Sequence, residues 1–308
     1  MPAEDEARLG VERLLFLRSL SAARPGGVEA LQLAAAMRDV YFKRGQRLFA
    51  AGEPSGDIFF VVAGAVRMEA SGVEPWEFEA PAVVGALDSF AGGRRTRTGL
   101  ATRETHALVL AHTDWLAVLE EHFDFARDSV VRRSAALLRM HLGIPEDGGY
   151  RAVEAPGSPP ATRLGLVERT LALQELPALR AAGVQATLRL AELCAEVELE
   201  PEQVLFREGE EAEAIDLVAG GVIAIEGGAP PLRAAFGRGS LVGGAAAIGA
   251  QRQAFTARAA GRAVVLRVRK DDLFDVMEDH FELTRALLGE INAEQGELMA
   301  RHGVRGER

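Results

Sequence analysis

The chain has 308 residues, 48% hydrophobic and 26% charged, a composition that excludes a disordered or fibrous chain and suggests about two domains. Thirty-five basic against 45 acidic residues give a net charge of −10, which argues against nucleic-acid binding through phosphate neutralisation. Apolar runs fall short of the roughly 18 residues that span a membrane. The N-terminal MPAEDEARLG is acidic where a secretory signal is basic, and Cys194 is the only cysteine, so neither an intramolecular disulfide nor a cysteine zinc site can form. The expectation is a cytoplasmic protein without membrane insertion.

In chain order, apolar residues at Val28, Leu31, Leu33, Ala34, Ala35 and Met37 recur at helical spacing. Short β-rich runs follow at Asp57–Val62, Ala65–Ala70 and His106–Leu110, separated by glycines. A helix begins near Thr113 and Asp114, both good N-cap residues. Residues 143–165 hold five Gly and four Pro and read as an exposed linker. The same order then returns. Val184, Leu188, Leu190, Ala191 and Leu193 have helical spacing, and β-rich runs follow at Ile215–Ala219, Val222–Glu226 and Ala263–Val268. Lys270-Asp271-Asp272 opens the closing helix, with Asp272 as N-cap candidate, and a further helix from Leu283 to Arg301 carries an apolar stripe expected to pack on its own barrel.

The return is a duplication. Leu48-Phe49-Ala50-Ala51-Gly52-Glu53 reappears as Leu205-Phe206-Arg207-Glu208-Gly209-Glu210, 157 residues on. Val11-Glu12-Arg13 matches Val167-Glu168-Arg169, and His122-Phe123 matches His280-Phe281. Anchors in order at nearly constant offset define two copies, 1–142 and 166–308, joined by 143–165. Many short strands with glycine turns point to an antiparallel sandwich or barrel.

The repeated LFxxGE strand, the barrel-like run of strands and the closing helix resemble the cyclic nucleotide-binding domain family, over nearly the whole chain and in two copies. The resemblance implies a mainly β fold with flanking helices (α+β): two tandem jelly-roll β-barrels of the cyclic nucleotide-binding type. It also implies a cassette in which a Gly turn and a following short helix cradle a cyclic phosphate. In that cassette a Glu accepts from the ribose and an Arg pairs with the phosphate. In the first copy the matching positions are Gly85, Ala86, Leu87, Arg95 and Thr96. Ala86 stands where the ribose-binding Glu would be; Asp88 is the nearby acid, free either to reach a sugar or to pair with Arg95. In the second copy they are Gly243, Gly244, Ala245, Arg252 and Gln253, with Gly244 at the Glu position and Gln253 at the Arg position. Arg252 lies one residue early, which in a strand turns it to the opposite face.

His122 and His280 sit at matching places without further ligands nearby, too few for zinc. Arg132-Arg133-Ser134-Ala135 has the look of a basophilic-kinase site and reads as a solvated helix face. The chain carries no G-x-S-x-G, H-E-x-x-H or Walker motif, and 28 residues after His280 are too few for a DNA-binding helix-turn-helix domain. The reading is therefore a non-enzymatic regulatory protein without metal or cofactor. It would sense a cyclic nucleotide (cAMP or cGMP) or a related messenger and relay it to an unidentified protein partner. The alternative is a ligand-free scaffold that uses its barrels for protein–protein contact.

Overall fold

The computed structural model describes residues 13–16, 27–71, 73–86, 88, 93–150, 157–228 and 231–302. The chain divides into two compact units between Ser129 and Val130.

In the first unit, α1 (Val28–Ala36) precedes eight strands: β1 (Arg38–Phe42), β2 (Arg47–Phe49), β3 (Asp57–Ala63), β4 (Ala65–Ala70), β5 (Val73–Glu79), β6 (Ala82–Val84), β7 (Thr98–Ala101) and β8 (Thr105–Ala111). They form two four-stranded antiparallel sheets, ordered β1-β8-β3-β6 and β2-β7-β4-β5. Alternate residues point inward, as the two-residue period of a strand requires. Phe42, Phe49, Phe59, Val61, Val66, Met68 and Val109 fill the space between the sheets. Helix α2 (His112–Glu121) closes the barrel, and α3 (Phe123–Leu142) runs on into the second unit.

The second unit repeats this order. Helices α4 (Leu166–Leu173), α5 (Pro177–Ala182) and α6 (Val184–Leu193) lead into β9 (Ala195–Leu199), β10 (Val204–Phe206), β11 (Ala214–Gly220), β12 (Ile223–Gly227), β13 (Leu232–Phe236), β14 (Leu241–Val242), β15 (Thr256–Ala259) and β16 (Ala263–Arg269). A short α7 (Gly244–Gly249) follows β14, and α8 (Lys270–Asp279) and α9 (Phe281–His302) end the unit. Its sheets, β14-β11-β16-β9 and β10-β15-β12-β13, have the strand order of the first unit position for position. Two antiparallel four-stranded sheets per copy, with flanking helices, are the expected jelly-roll class. The last helix packs within its own unit, against α5 and α8.

Four local expectations are corrected. The helices α2 and α8 start one turn earlier than their acids suggest: Ala111 and Arg269 occupy the N-cap positions, and no side chain caps either end. Asp114, Asp271 and Asp272 lie instead in the first turn, where a negative charge favours the helix dipole. Within the stretch read as an exposed linker, residues 143–150 are partly buried, whereas residues 157–165 are exposed or half-buried. Ile144 is 4% exposed, the Tyr150 ring meets Phe236 edge-on at 5.0 Å, and Glu146 bridges Leu232, because residues 144–150 pack onto the core of the second unit. The Arg132–Ala135 motif is not a solvated face either. Ser134 is 1% exposed and Arg133 donates to Asn292 Oδ1 at 2.8 Å.

Candidate functional site

The cassette of the first unit is built from the turn after β2, the β6 exit and the approach to β7. Gly52 donates its N–H to Arg95 O at 2.8 Å, and Arg95 donates its N–H to Glu53 O at 2.7 Å. Glu53 holds the turn shut by accepting from Ala50 N at 2.8 Å. The LFxxGE sequence is thus a clamp that fixes Arg95 from both sides of its backbone. The second unit repeats it: Gly209 N to Gln253 O is 2.9 Å, Gln253 N to Glu210 O is 2.8 Å, and Arg207 N to Glu210 Oε2 is 2.8 Å.

The clamp also sets which way the neighbouring arginines face. Arg94 donates to Gly52 O at 2.6 Å on the exposed side, and Arg252 donates to Gly209 O at 2.7 Å in the same way. Their bridges, Pro54 with Arg94 and Glu211 with Arg252, are equivalent. Arg252 is therefore the counterpart of Arg94 and points away from the cassette. The inward position belongs to Arg95 in the first copy and to Gln253 in the second.

Arg95 is 4% exposed. Its Nη1 donates to Gly85 O at 2.6 Å and its Nη2 to Asp57 O, while its guanidinium carbon stands 4.4 Å over the Phe49 ring. Its Nε is buried without a hydrogen-bond partner among the described residues. Burial draws its pKa below the ordinary arginine value, and the carboxylates of Asp88, Asp57 and Glu53 act against that shift. Gly85, at φ +84°, opens the turn; a Cβ there would come within 2.8 Å of Arg95 Nη1, so the glycine makes room for the guanidinium. Ala86 is helical and half-buried, Thr96 is exposed and donates to Asp88 Oδ1 at 2.6 Å, and Leu87 lies outside the described residues. Asp88 is 6% exposed and acts electrostatically on both Arg95 and Arg97.

In the second copy Gly243 adopts φ +74° and Gly244 and Ala245 open α7. Gln253 is 5% exposed with its Oε1 unpartnered among the described residues. Phe206 lies under Gly243 as Phe49 lies under Arg95. The two cassettes differ at three buried charged positions: Asp88, Arg95 and Arg97 in the first correspond to Ala246, Gln253 and Phe255 in the second. The first presents a buried cation beside a glycine turn and fits a phosphate; a carboxamide in the second supplies no charge against one.

Both copies match the model of the cyclic nucleotide-binding domain, over residues 39–122 and 196–280. The chain belongs to the cyclic nucleotide-binding domain family. No curated protein sequence matches it. Among solved structures, it is similar to a regulatory subunit of a cAMP-independent protein kinase A from Trypanosoma brucei, a mutant bound to cAMP in the A site: 18% identity, 96% of this chain and 93% of that one, TM-score 0.35. The regulatory domain of Toxoplasma gondii PKA with cAMP gives 14% identity, 96% and 98% coverage and a TM-score of 0.36. The corresponding Trypanosoma cruzi subunit, bound to guanosine, gives 16%, 98% and 94%, and 0.35. Membership rests on the two matched segments, which coincide with the two barrels.

The structure brings Gly85, Arg95 and Thr96 of the expected cassette into one region and adds parts that the sequence did not signal. Asp57 O and the Phe49 ring belong to the Arg95 site, and neither residue type signals such a role. A second departure was equally silent. In the second barrel Asp216 and Arg267 pair directly, at 2.8 Å from Nε to Oδ1 and 3.0 Å from Nη2 to Oδ2, with Asp216 1% exposed. The first barrel has Phe59 opposite Val109 at the same register. His122 does not gather metal ligands; its Nε2 meets Gln32 Oε1 at 2.6 Å, and no group of three or more His, Cys, Asp or Glu forms a metal site among the described residues.

Proposed function

We propose that this chain is a non-enzymatic regulatory protein whose first cassette takes the cyclic phosphate of cAMP or cGMP on Arg95 and passes the bound state to a protein partner. The observation that carries this reading is the state of Arg95: 4% exposed, held by two backbone carbonyls, with carboxylates acting on it only at longer range. A desolvated cation fastened to neutral acceptors retains its charge for an anion. Gly85 and Thr96 would frame the phosphate, with Ala86 and Leu87 contributing backbone only. The second cassette, with Gly243, Gly244, Ala245, Arg252 and Gln253, would then serve as structure rather than as a nucleotide site.

Calorimetric titration with cAMP and cGMP tests this. The expectation is one site per chain, lost in Arg95→Ala and kept in Gln253→Ala. Absence of heat at millimolar nucleotide sinks the sensor reading.

The scaffold reading is favoured by a different observation. Leu15, Val28 and Leu31 in the first unit are 60%, 62% and 56% exposed, and Leu171, Val184 and Leu188 in the second are 59%, 62% and 38% exposed. Each unit thus shows an apolar helical surface at equivalent positions, of the kind that marks protein contact. Under this reading Leu31→Glu and Leu188→Glu would abolish partner capture whether or not nucleotide is present.

A further inference from the structure

The second unit contains a cavity of about 170 Å³ on the face of its barrel opposite the core. Val218 and Val265 point into the core, whereas Ile215, Leu217, Leu266 and Val268, on the alternate positions of β11 and β16, line the cavity. The back of the cassette turn, Gly243 to Ala246, forms one wall, and α3, α5 and α9 cover it. An engineered apolar cavity of about 150 Å³ holds benzene, so this one has room for a single aromatic ring system.

The covering helices carry a pattern that packing alone does not account for. On α3 the face toward the cavity reads Ser134, Leu137, Leu138 and His141; on α9 it reads Leu283, Leu287, Glu290, Ile291 and Glu294. Both runs have the spacing of one helix face, where a buried stripe is ordinarily apolar throughout. Here four polar groups interrupt the stripes. Ser134 is 1% exposed, and its Oγ has no hydrogen-bond partner among the described residues, a state that costs free energy unless something fills it. His141 is 2% exposed, has its Nδ1 at 2.7 Å from Gly148 O and its Nε2 at 3.1 Å from Glu294 Oε1, and lies flat against Tyr150 at 4.1 Å. Glu290 accepts from Ala178 N at 3.0 Å, and burial followed by the nearby Glu294 pushes its carboxyl up. Two acidic groups repel an anionic head and accept from a donor, and a free hydroxyl adds an acceptor for the same donor.

We infer that this cavity is a binding site for a small aromatic molecule bearing one neutral or cationic hydrogen-bond donor, seated on the back of the second cassette with its donor at Ser134 or the glutamates. The site is separate from Arg95 and does not depend on nucleotide binding there.

Indole, a ring system with one N–H donor, is the probe, and toluene is the donor-free control. Titrated into the full chain, indole is expected to saturate one site and to shift the methyl resonances of Ile248 and Ile291. Toluene is expected to bind at least about five-fold more weakly, the range set by one lost hydrogen bond. Ser134→Ala removes an unpartnered hydroxyl, so it should fold at least as well as the parent while losing about five-fold in indole affinity with toluene unchanged. Ala246→Leu fills the cavity and should abolish both, whereas Arg95→Ala should leave indole binding intact. No saturable binding of indole by the folded parent overturns the inference. So does binding that neither Ser134→Ala nor Ala246→Leu alters, or methyl shifts confined to the first unit.

Discussion

Arg95 Nη1 stands 2.6 Å from the carbonyl oxygen of Gly85, so the glycine that turns the chain out of β6 also anchors the cassette's inward cation. The turn and the charge are one unit: a side chain at Gly85 would displace the guanidinium, and loss of the guanidinium would leave the Gly85 and Asp57 carbonyls without its N–H groups. The second barrel keeps the glycine and the clamp while replacing the cation by Gln253.

Replacement of Arg95 by Gln therefore separates stability from ligand binding. Gln253 shows that the barrel accepts a carboxamide at this position, and burial already disfavours the Arg95 charge. Arg95→Gln should keep the unfolding free energy within about 1 kcal/mol of the parent while weakening nucleotide binding about ten- to a hundred-fold, the worth of charge-assisted hydrogen bonds. Thermal unfolding and titration on the same sample check both halves.

Acid should selectively loosen the first unit through Asp39. Burial pushes this carboxyl up, but the hydrogen bonds from Arg13 Nη2 at 2.6 Å and His106 Nε2 at 2.7 Å outweigh it, and the net shift is below its ordinary value of 3.8. A carboxyl lowered by folding stabilises at pH above its unfolded value and loses that contribution as pH falls through the folded value. Asp39→Asn should thus be less stable than the parent at pH 7, by about 1 kcal/mol given the partial exposure of the cluster, with the gap closing below about pH 4. Chemical denaturation of both proteins between pH 3 and 7 measures the gap.

The Asp216–Arg267 pair tests how the second barrel solved a packing position differently. Burial pushes the Asp216 carboxyl up, and the hydrogen bonds and charge of Arg267 only partly offset this. Arg267→Ala leaves a carboxylate that is 1% exposed without its partner, a loss of about 2–3 kcal/mol after discounting for an arginine that is one-third exposed. The double change Asp216→Phe with Arg267→Val imports the Phe59–Val109 solution of the first barrel. It should be neutral or stabilising by comparison, since an apolar pair avoids desolvating two charges. A double-mutant cycle in urea gives the coupling directly.

Cys194 should resist thiol reagents in the folded chain. It is 4% exposed, its Sγ–H donates to Ala191 O at 3.4 Å, and burial pushes its pKa up despite Arg169 nearby. Low exposure and a reduced thiolate fraction both slow alkylation. Labelling by a chromogenic disulfide at pH 8 should be at least about a hundred-fold slower in buffer than in denaturant.

The duplication, the strand runs and the glycine turns were legible in the sequence because they depend on local chemistry. Glycines mark positive-φ turns at Gly85 and Gly243, alternating apolar residues mark strands, and LFxxGE marks a clamp whose hydrogen bonds are nearly all made within a few residues or to the facing chain. The observed strands differ from the read ones by a residue or so at their ends, and the last helix runs Phe281–His302 against an expected Leu283–Arg301. Helix starts were less legible. Asp114 and Asp272 look like caps, yet a strand runs straight into each helix and leaves the N-cap to Ala111 and Arg269.

What the sequence determined by itself is which residues exist to do chemistry: Arg95 at the phosphate position of the first cassette, Gln253 at that of the second, and no acid at either ribose position. What only the tertiary structure decided is where those charges end up. Whether Arg95 pairs with Asp88 or stays available depends on carbonyls from β3 and the β6 exit, which approach only when the sheet closes. Whether Gly-rich residues 143–150 float or bury depends on Phe236 and Leu232, far along the chain. The Ser134 hydroxyl and the Glu290 and Glu294 carboxylates become neighbours of one cavity only because α3 and α9 cover the same sheet face. Local hydrogen bonding and turn geometry are written over a few residues, whereas burial and field are sums over everything that packs nearby, and no window of sequence contains that sum.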